Sequence, residues 1–282
     1  MQPLFNPKHL QNLAALYGLR PSRNYGQNFL MDETVIQKIV SLSGADQTDT
    51  VVEVGPGFGV LTLALAEKAG RVLSFEIEKK LQPYWDEVKN KYPNIEVVWG
   101  NVLRMFPEQS RSLPEHYKVI ANLPYQITSA AVRMFLESPR PPAKLTLMVQ
   151  KEVAERICAK PGDMSLLSVS VQYYAEPRLE LVVPSSAFWP APKVDSAVIT
   201  LKRFPGLTTQ PEELFFRLVK AGFSNRRKLL VKNIEHIAGK KKKNDLLLVF
   251  DRLGILKTAR AQELSVAKWR ELVAVVGELL KN

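Results

Sequence analysis

Asn122-Leu123-Pro124-Tyr125 closes a short apolar run, Lys118–Asn122, and its residue types suit one kind of chemistry. The exocyclic amine of adenine is a poor nucleophile, because its lone pair is delocalised into the ring. The Asn122 side-chain oxygen and the Leu123 backbone carbonyl are suited to accept hydrogen bonds from such an amine, in a geometry that favours a tetrahedral nitrogen. Pro124 stiffens the turn, and Tyr125 offers a ring face on which the base can stack. Attack on a sulfonium methyl needs no strong base. The methyl is already electrophilic and the methylated nitrogen loses its proton easily, so the remaining work is alignment. His9, His116 and His236 fall in no motif, which argues against histidine acid–base catalysis, and no metal-ligand spacing is present. Four residues can also occur by chance where a strand ends in a turn, so the surroundings of the motif matter.

A second constellation lies upstream. Val52-Glu53-Val54-Gly55-Pro56-Gly57-Phe58-Gly59 places a glycine-rich turn between an apolar run and a helical segment. Small residues there let the backbone approach a ligand at the carboxyl edge of an open α/β sheet. Glu76 ends the next apolar run, Ser74-Phe75-Glu76-Ile77, where a carboxylate can accept from both hydroxyls of a ribose. Asn101 follows Val97-Val98-Trp99-Gly100, and its side-chain oxygen can accept from an adenine amine. Gly55 and Gly57, Glu76 and Asn101 at three successive strand ends describe a nucleoside pocket. Such a pocket suits a nicotinamide dinucleotide as well as a sulfonium nucleoside, although nothing in hydride transfer calls for Asn-Leu-Pro-Tyr.

The elements that must position these residues are legible in the hydrophobic pattern. Strand-like runs fall at 50–54, 71–77, 95–99, 118–122 and 145–150, with amphipathic stretches at 60–69, 78–91, 128–136 and 151–159. This βαβα order predicts a parallel sheet with helices on both faces. Two later runs, 179–183 and 197–202, flank the proline-rich Phe188-Trp189-Pro190-Ala191-Pro192 and read as an antiparallel hairpin at the sheet edge. Ahead of the sheet, residues 9–17 read as a short helix, 20–24 as a basic irregular segment, and Asp32 as the N-cap of a helix carrying Val35, Ile36, Ile39 and Val40. Residues 204–211 have linker composition. Everything beyond reads as helix: Phe215, Phe216, Leu218, Val219 and Phe223 share an apolar face, and Ser265 suits the cap of a last helix with Trp269, Leu272 and Val273. The expected division is therefore 1–24, an N-terminal helix and basic arm; 25–205, an α/β catalytic domain; and 206–282, a small all-α domain.

Composition narrows the partners. The chain has 282 residues, 46% hydrophobic and 24% charged, with a formal net charge of +11. No stretch reaches the roughly 20 apolar residues of a membrane span. The first residues lack a secretory pattern, and Cys158 is the only cysteine, so a soluble cytoplasmic protein without disulfides is expected. Residues 206–282 hold 16 Lys/Arg against 8 Asp/Glu, whereas residues 1–205 hold 23 against 20. That asymmetry favours a polyanionic partner for the last quarter of the chain. Within it, Arg226-Arg227-Lys228 suits phosphate contact without base reading, and residues 240–243 suit a surface loop that assists electrostatically. No membrane and no metal partner is expected, and nothing specifies self-association, which leaves a monomer as the default.

Taken with Tyr25-Gly26-Gln27-Asn28-Phe29-Leu30, residues 150–157 (QKEVAERI) and residues 184–198 (PSSAFWPAPKVDSAV), the motif resembles the ribosomal RNA adenine N6,N6-dimethyltransferase family, in its small-subunit (16S), kasugamycin-resistance branch. The resemblance covers about residues 20–233. It implies a Rossmann-like class I methyltransferase sheet. It further implies S-adenosylmethionine as cofactor, held through Asn28, Leu30, Gly55, Gly57, Glu76, Asn101 and Asn122. The implied substrate is a pair of adjacent adenosines near the 3′ end of small-subunit rRNA in an immature subunit. Phe188 is implied to stack on the target base opposite Tyr125, and Arg226-Arg227-Lys228 matches the family's Phe-x-x-Arg-Arg-Lys segment. Three positions depart from the family pattern. Asn101 stands where Asp is usual, keeping a hydrogen bond and losing a charge. Gln126 replaces Asn or His, and residues 162–166 keep only part of a Gly-Arg/Lys-Leu-Ser segment. Two alternatives share the fold: a large-subunit rRNA methyltransferase of the macrolide-resistance type, and a non-catalytic assembly or transcription factor.

Overall fold

The computed structural model describes residues 2–20, 27–206, 213–238 and 243–281. Residues 21–24 of the basic arm, Tyr25 and Gly26, the linker positions 207–211 and Lys240 to Lys242 lie outside the described residues.

Among the described residues there are nine strands: β1 Phe29–Leu30, β2 Thr50–Val54, β3 Arg71–Glu76, β4 Ile95–Trp99, β5 Lys118–Asn122, β6 Lys144–Gln150, β7 Ala175–Val183, β8 Phe188–Trp189 and β9 Ser196–Arg203. Seven of them form one sheet in the order β4-β3-β2-β5-β6-β9-β7. β2 pairs in parallel with both β3 and β5, β3 with β4, and β5 with β6. β9 runs antiparallel to β6, with Ser196 opposite Gln150. The order reverses between β2 and β5, so the crevice at their carboxyl ends is where such a sheet binds ligands.

The inner strands β2, β3, β5, β6 and β9 are buried on both faces, which is why they read as continuous apolar runs. Val51, Val72, Ile95, Ile120, Met148 and Val198 pack in one cluster with Ile36 and Ile39 of α2 (Glu33–Ser43), Val60 and Leu61 of α3 (Val60–Ala66) and Trp85 of α4 (Gln82–Lys89). Leu10 and Ala14 of α1 (Pro7–Leu16) belong to the same cluster. The N-terminal helix is thus part of the sheet's core and does not stand apart as expected. On the opposite face Phe75 meets Phe106 of α5 (Val102–Gln109) at 6.1 Å, and Phe106 meets Phe135 of α6 (Thr128–Leu136) at 4.7 Å. The α5 helix was not legible beforehand, because Pro107 interrupts its pattern. Asp32 caps α2 as expected, its Oδ1 accepting from the Thr34 and Val35 amides at 2.9 and 3.3 Å.

Residues 188–192, expected as a loop, contain strand β8. It pairs antiparallel with β1, Phe29 opposite Trp189 and Leu30 opposite Phe188, because the two segments meet over the glycine-rich turn and satisfy each other's backbone.

The chain divides into two compact units, residues 1–154 with 176–205, and residues 155–175 with 206–282. The sequence pattern instead divides the chain at 24/25 and at 205/206, with residues 155–175 in the α/β part. The difference is α8 (Leu166–Tyr174), which follows α7 (Lys151–Ile157) and belongs by contact to the second unit. Its apolar faces are covered there: Tyr173 meets Phe215 at 4.5 Å and Phe216 at 5.1 Å, and Tyr174 stacks on Phe216. Those phenylalanines lie on α9 (Glu213–Gly222), which is followed by α10 (Leu230–Ala238), α11 (Lys243–Arg252) and α12 (Val266–Lys281). Ser265 accepts from the Lys268 amide at the start of α12, at 3.1 Å. Among the described residues, no helix is long and apolar enough to cross a membrane.

Candidate active site

The glycine-rich turn after β2 is built from backbone that other residues do not adopt. Gly55, Gly57 and Gly59 have φ of +70, +54 and +82°. A Cβ on Gly57 would lie 2.7 Å from the Phe29 ring, so the turn and β1 are packed to the limit. The Gly57 peptide is held from two sides: its N–H donates to Glu76 Oε2 at 3.1 Å, and its carbonyl accepts from the Trp85 indole at 3.0 Å. The Tyr84 hydroxyl donates to the next carbonyl, that of Phe58, at 2.7 Å.

A pocket opens above this turn, with about 1150 Å³ of empty space including the part open to solvent. All seven residues expected to hold a cofactor line it: Asn28, Leu30, Gly55, Gly57, Glu76, Asn101 and Asn122. Glu76 is buried, and its second oxygen accepts from the Glu78 amide at 2.8 Å. Burial pushes its carboxyl up, while the amides pull the other way. With the Gly57, Glu78 and Ile77 amides bearing on it, the carboxylate still keeps acceptor capacity for a ribose hydroxyl. Asn101 is the N-cap of α5, its Oδ1 accepting from the Leu103 amide at 2.9 Å. Its oxygen is therefore already engaged, which the sequence did not reveal.

Asn122 ends β5, opposite Met148. Its Nδ2 donates to the Asn28 carbonyl at 3.4 Å, which orients the amide and leaves Oδ1 as the acceptor on the other branch. The Leu123 amide donates to the Met148 carbonyl at 3.0 Å, so the ladder with β6 continues one residue past the strand and fixes the turn. Pro124 lines the pocket and lies beside Gly55. Tyr125 is half-buried on a 3-10 turn, Tyr125–Ile127, with its hydroxyl 2.8 Å from Ser196 Oγ. Burial raises its pKa, which keeps the ring neutral. Phe188 is in a different setting. It is 3% exposed, belongs to the core cluster and does not line the pocket; neither does Tyr125.

Two groups went unnoticed in the sequence. Glu53 is buried within β2 and lines the pocket, its Oε2 accepting from Thr62 and Ser74 hydroxyls, each at 2.7 Å. A carboxylate inside a strand buried on both faces was the available signal. Trp85 and Tyr84, which hold the turn, gave none, since an aromatic pair on a helix reads as core.

In the second unit Arg226, Arg227 and Lys228 are all exposed, on a turn between α9 and α10. Asn225 shapes this turn by accepting from the Arg227 and Lys228 amides at 3.2 and 3.1 Å. Asn233, buried on α10, donates to the Gly222 and Asn225 carbonyls at 2.6 and 2.9 Å. Three cations are thus presented by a fixed backbone.

Comparison with known proteins bears on this site. A family model described as ribosomal RNA adenine dimethylase matches residues 19–277. The ribosomal RNA small subunit methyltransferase A of Dehalococcoides mccartyi is 41% identical over 264 residues, covering 93% of this chain and 90% of that protein. The protein of the same name from Shouchella clausii is 38% identical, covering 94% and 93%. Among solved structures, a dimethyladenosine transferase from Plasmodium falciparum is similar in fold, with a TM-score of 0.76 at 24% identity, covering 89% of this chain and 98% of that one. The 23S rRNA methyltransferase ErmE has a TM-score of 0.70 at 27% identity, covering 89% and 100%.

Burial pushes the Glu53 carboxyl up to about 7, against the Thr62 and Ser74 hydroxyls that stabilise its charge. A folded-state value above the unfolded one means that the stability this group contributes is fully present below about pH 4.5 and is lost as pH rises through about 7. Glu53→Gln keeps an acceptor for both hydroxyls and removes the titration. Thermal unfolding followed from about pH 5.5 to about pH 8 is expected to show the variant gaining a few degrees on the wild type. Parallel profiles would show that Glu53 does not titrate in this window.

Proposed function

Because the chain belongs to the ribosomal RNA adenine dimethylase family, we propose that it transfers methyl groups from S-adenosylmethionine to N6 of two adjacent adenosines near the 3′ end of small-subunit (16S) rRNA, giving N6,N6-dimethyladenosine. One observation carries this beyond family membership. The ends of β2, β3, β4 and β5 converge on one pocket, at whose rim the Asn122 amide is oriented with its oxygen available to an amine donor. The small-subunit target is supported by relatives that carry that substrate in their names over nine-tenths of both chains.

In this reading the pocket holds the cofactor through Asn28, Leu30, Gly55, Gly57, Glu76, Asn101 and Asn122. The fit rests on the turn, where Gly55 and Gly57 bring bare backbone to the pocket lining, and on Glu76, whose carboxylate keeps acceptor capacity for a ribose hydroxyl. Ile77, apolar and exposed at the pocket wall, offers a surface for the adenine. When bound, the cofactor supplies a methyl group made electrophilic by its sulfonium. The chain's own residues prepare the nucleophile. Asn122 Oδ1 and the Leu123 carbonyl accept from the two N–H groups of the target amine and draw its nitrogen toward a tetrahedral, lone-pair-bearing form. Pro124 holds this turn against Gly55, and Tyr125 stacks on the base. The nitrogen then sheds a proton to solvent, the spent thioether leaves, and a second methyl would come from a second cofactor molecule, with one N–H of the amine left for these acceptors to hold. Phe188, buried beside Leu30, contributes to the base side by supporting that wall or by turning outward to stack when RNA is bound. Arg226, Arg227 and Lys228 contact phosphates of the folded rRNA.

Asn101 sets a limit on cofactor affinity. Its one oxygen caps α5 and keeps a single neutral lone pair for the adenine amine, while the other branch of the amide is a donor. An Asp here would offer one oxygen to the cap and a second, charged oxygen to the adenine amine. Asn101→Asp is therefore expected to tighten S-adenosylmethionine binding about tenfold in calorimetry. An unchanged or weakened affinity would place the adenine elsewhere.

The activity itself is tested by transfer of labelled methyl groups to unmethylated small subunits, with Asn122→Ala expected to lower the rate on the order of a hundredfold. Primer extension on both rRNAs decides the target. Stops near the 3′ end of the small-subunit rRNA are expected. Stops on the large-subunit rRNA would favour the second reading, for which the likeness to ErmE speaks, and no transfer to either would sink the proposal. Replacing Arg226, Arg227 and Lys228 together by Ala is expected to weaken subunit binding and lower the slope of log affinity against log salt by about 2–3. An unaltered slope would remove this turn from the RNA contact.

A further inference from the structure

Stacking on a base needs only a ring, and a phenylalanine at position 125 would supply one. The hydroxyl of Tyr125 therefore calls for its own explanation. It lies 2.8 Å from Ser196 Oγ, and Ser196 is fully buried as the first residue of β9, held in register opposite Gln150. Among the described residues no other aromatic ring packs on Tyr125, and its 3-10 turn is secured at the backbone, by the Ile127 amide and the Thr128 hydroxyl on the Pro124 carbonyl. The phenol contact thus gives the ring a fixed point at its far end.

The adjoining residue acts in the same place. Asp195 Oδ1 accepts from the Ser185 amide at 2.9 Å, and its carbonyl accepts from the Lys151 amide at 3.0 Å. Ser185 begins the 3-10 turn Ser185–Ala187 that leads into Phe188. The turn after β5 and the segment before β8 are distant in sequence, and both are tied to two consecutive residues at one end of β9.

We propose that Ser196 is a positioning residue for methyl transfer, anchoring the Tyr125 hydroxyl so that the ring presents a fixed face to the target base, while Asp195 ties the Ser185–Phe188 segment to the same point. The inference rests on the activity proposed above and names a residue that does not itself touch substrate. A ring pinned at both its Cβ and its hydroxyl loses the rotation that would otherwise spread the base over several poses, and transfer depends steeply on alignment of amine, methyl and sulfur.

A double-mutant cycle on whichever rRNA the wild type methylates tests this. Ser196→Ala and Tyr125→Phe are each expected to lower kcat by roughly three- to tenfold, with cofactor affinity in calorimetry unchanged. The double variant is expected to be no slower than either single one, because Ser196 acts only through the hydroxyl. Ser196→Thr, which keeps a hydroxyl, is expected to restore most of the rate. Additive losses, or a loss confined to cofactor binding, would overturn the proposal while leaving the activity standing. Should Ser196→Ala not fold, Tyr125→Phe against Ser196→Thr decides: full activity in Tyr125→Phe overturns the anchor. No transfer by the wild type to either rRNA sinks the activity and the inference with it.

Discussion

The Gly57 peptide is the point on which the site depends. Its conformation lies in the left-handed region, its N–H is taken by Glu76 and its carbonyl by the Trp85 indole, and the ring of Phe29 closes over the position where a side chain would begin. Each of these partners comes from a different element: β3, α4 and β1. A side chain at Gly57 would push Phe29 off the turn, and with it β1, whose Phe29 and Leu30 line the pocket and whose backbone pairs with β8. The requirement for glycine is thus steric on one side and conformational on the other.

Sheet order does the rest of the assembly. β5 follows β2 in the sheet although some sixty residues of chain separate them, so that Asn122-Leu123-Pro124 emerges beside Gly55. The ladder between β5 and β6 fixes the height of the turn through Leu123, and the antiparallel return of β9 brings Ser196 to the hydroxyl of Tyr125. The groups proposed to activate the amine therefore sit at the end of a central strand paired on both sides. That suits a reaction limited by alignment, in which strong acids and bases have no part.

The electrostatics divide along similar lines. Two carboxylates, Glu53 and Glu76, are buried at the floor of the pocket, each held by hydrogen bonds and unaccompanied by a cation at those bonds. They are costly for folding and are retained where acceptors for hydroxyls and amides are needed. The exposed Arg226-Arg227-Lys228 turn lies in the other unit, and Asn233 fixes its backbone from below. Phosphate contact made from a preorganised turn loses less entropy on binding than contact made from a free arm.

The amino-acid sequence by itself determined the alternation of the sheet's strands with most of their helices, the glycine-rich turn, the carboxylate and amides at successive strand ends, and the Asn-Leu-Pro-Tyr turn. Hydrophobic period and strand-end residue types are local properties and survive without coordinates. It also located the excess positive charge. Only the tertiary structure decided that Asn101 uses its single oxygen as a helix cap, that Phe188 is buried in a strand paired with Leu30, that α8 belongs with α9, and that Ser196 meets Tyr125. These are contacts between segments far apart in the chain, or competition for one atom. Sequence pattern encodes neither, because both depend on which lone pair or ring face is already occupied once the sheet has brought distant residues together.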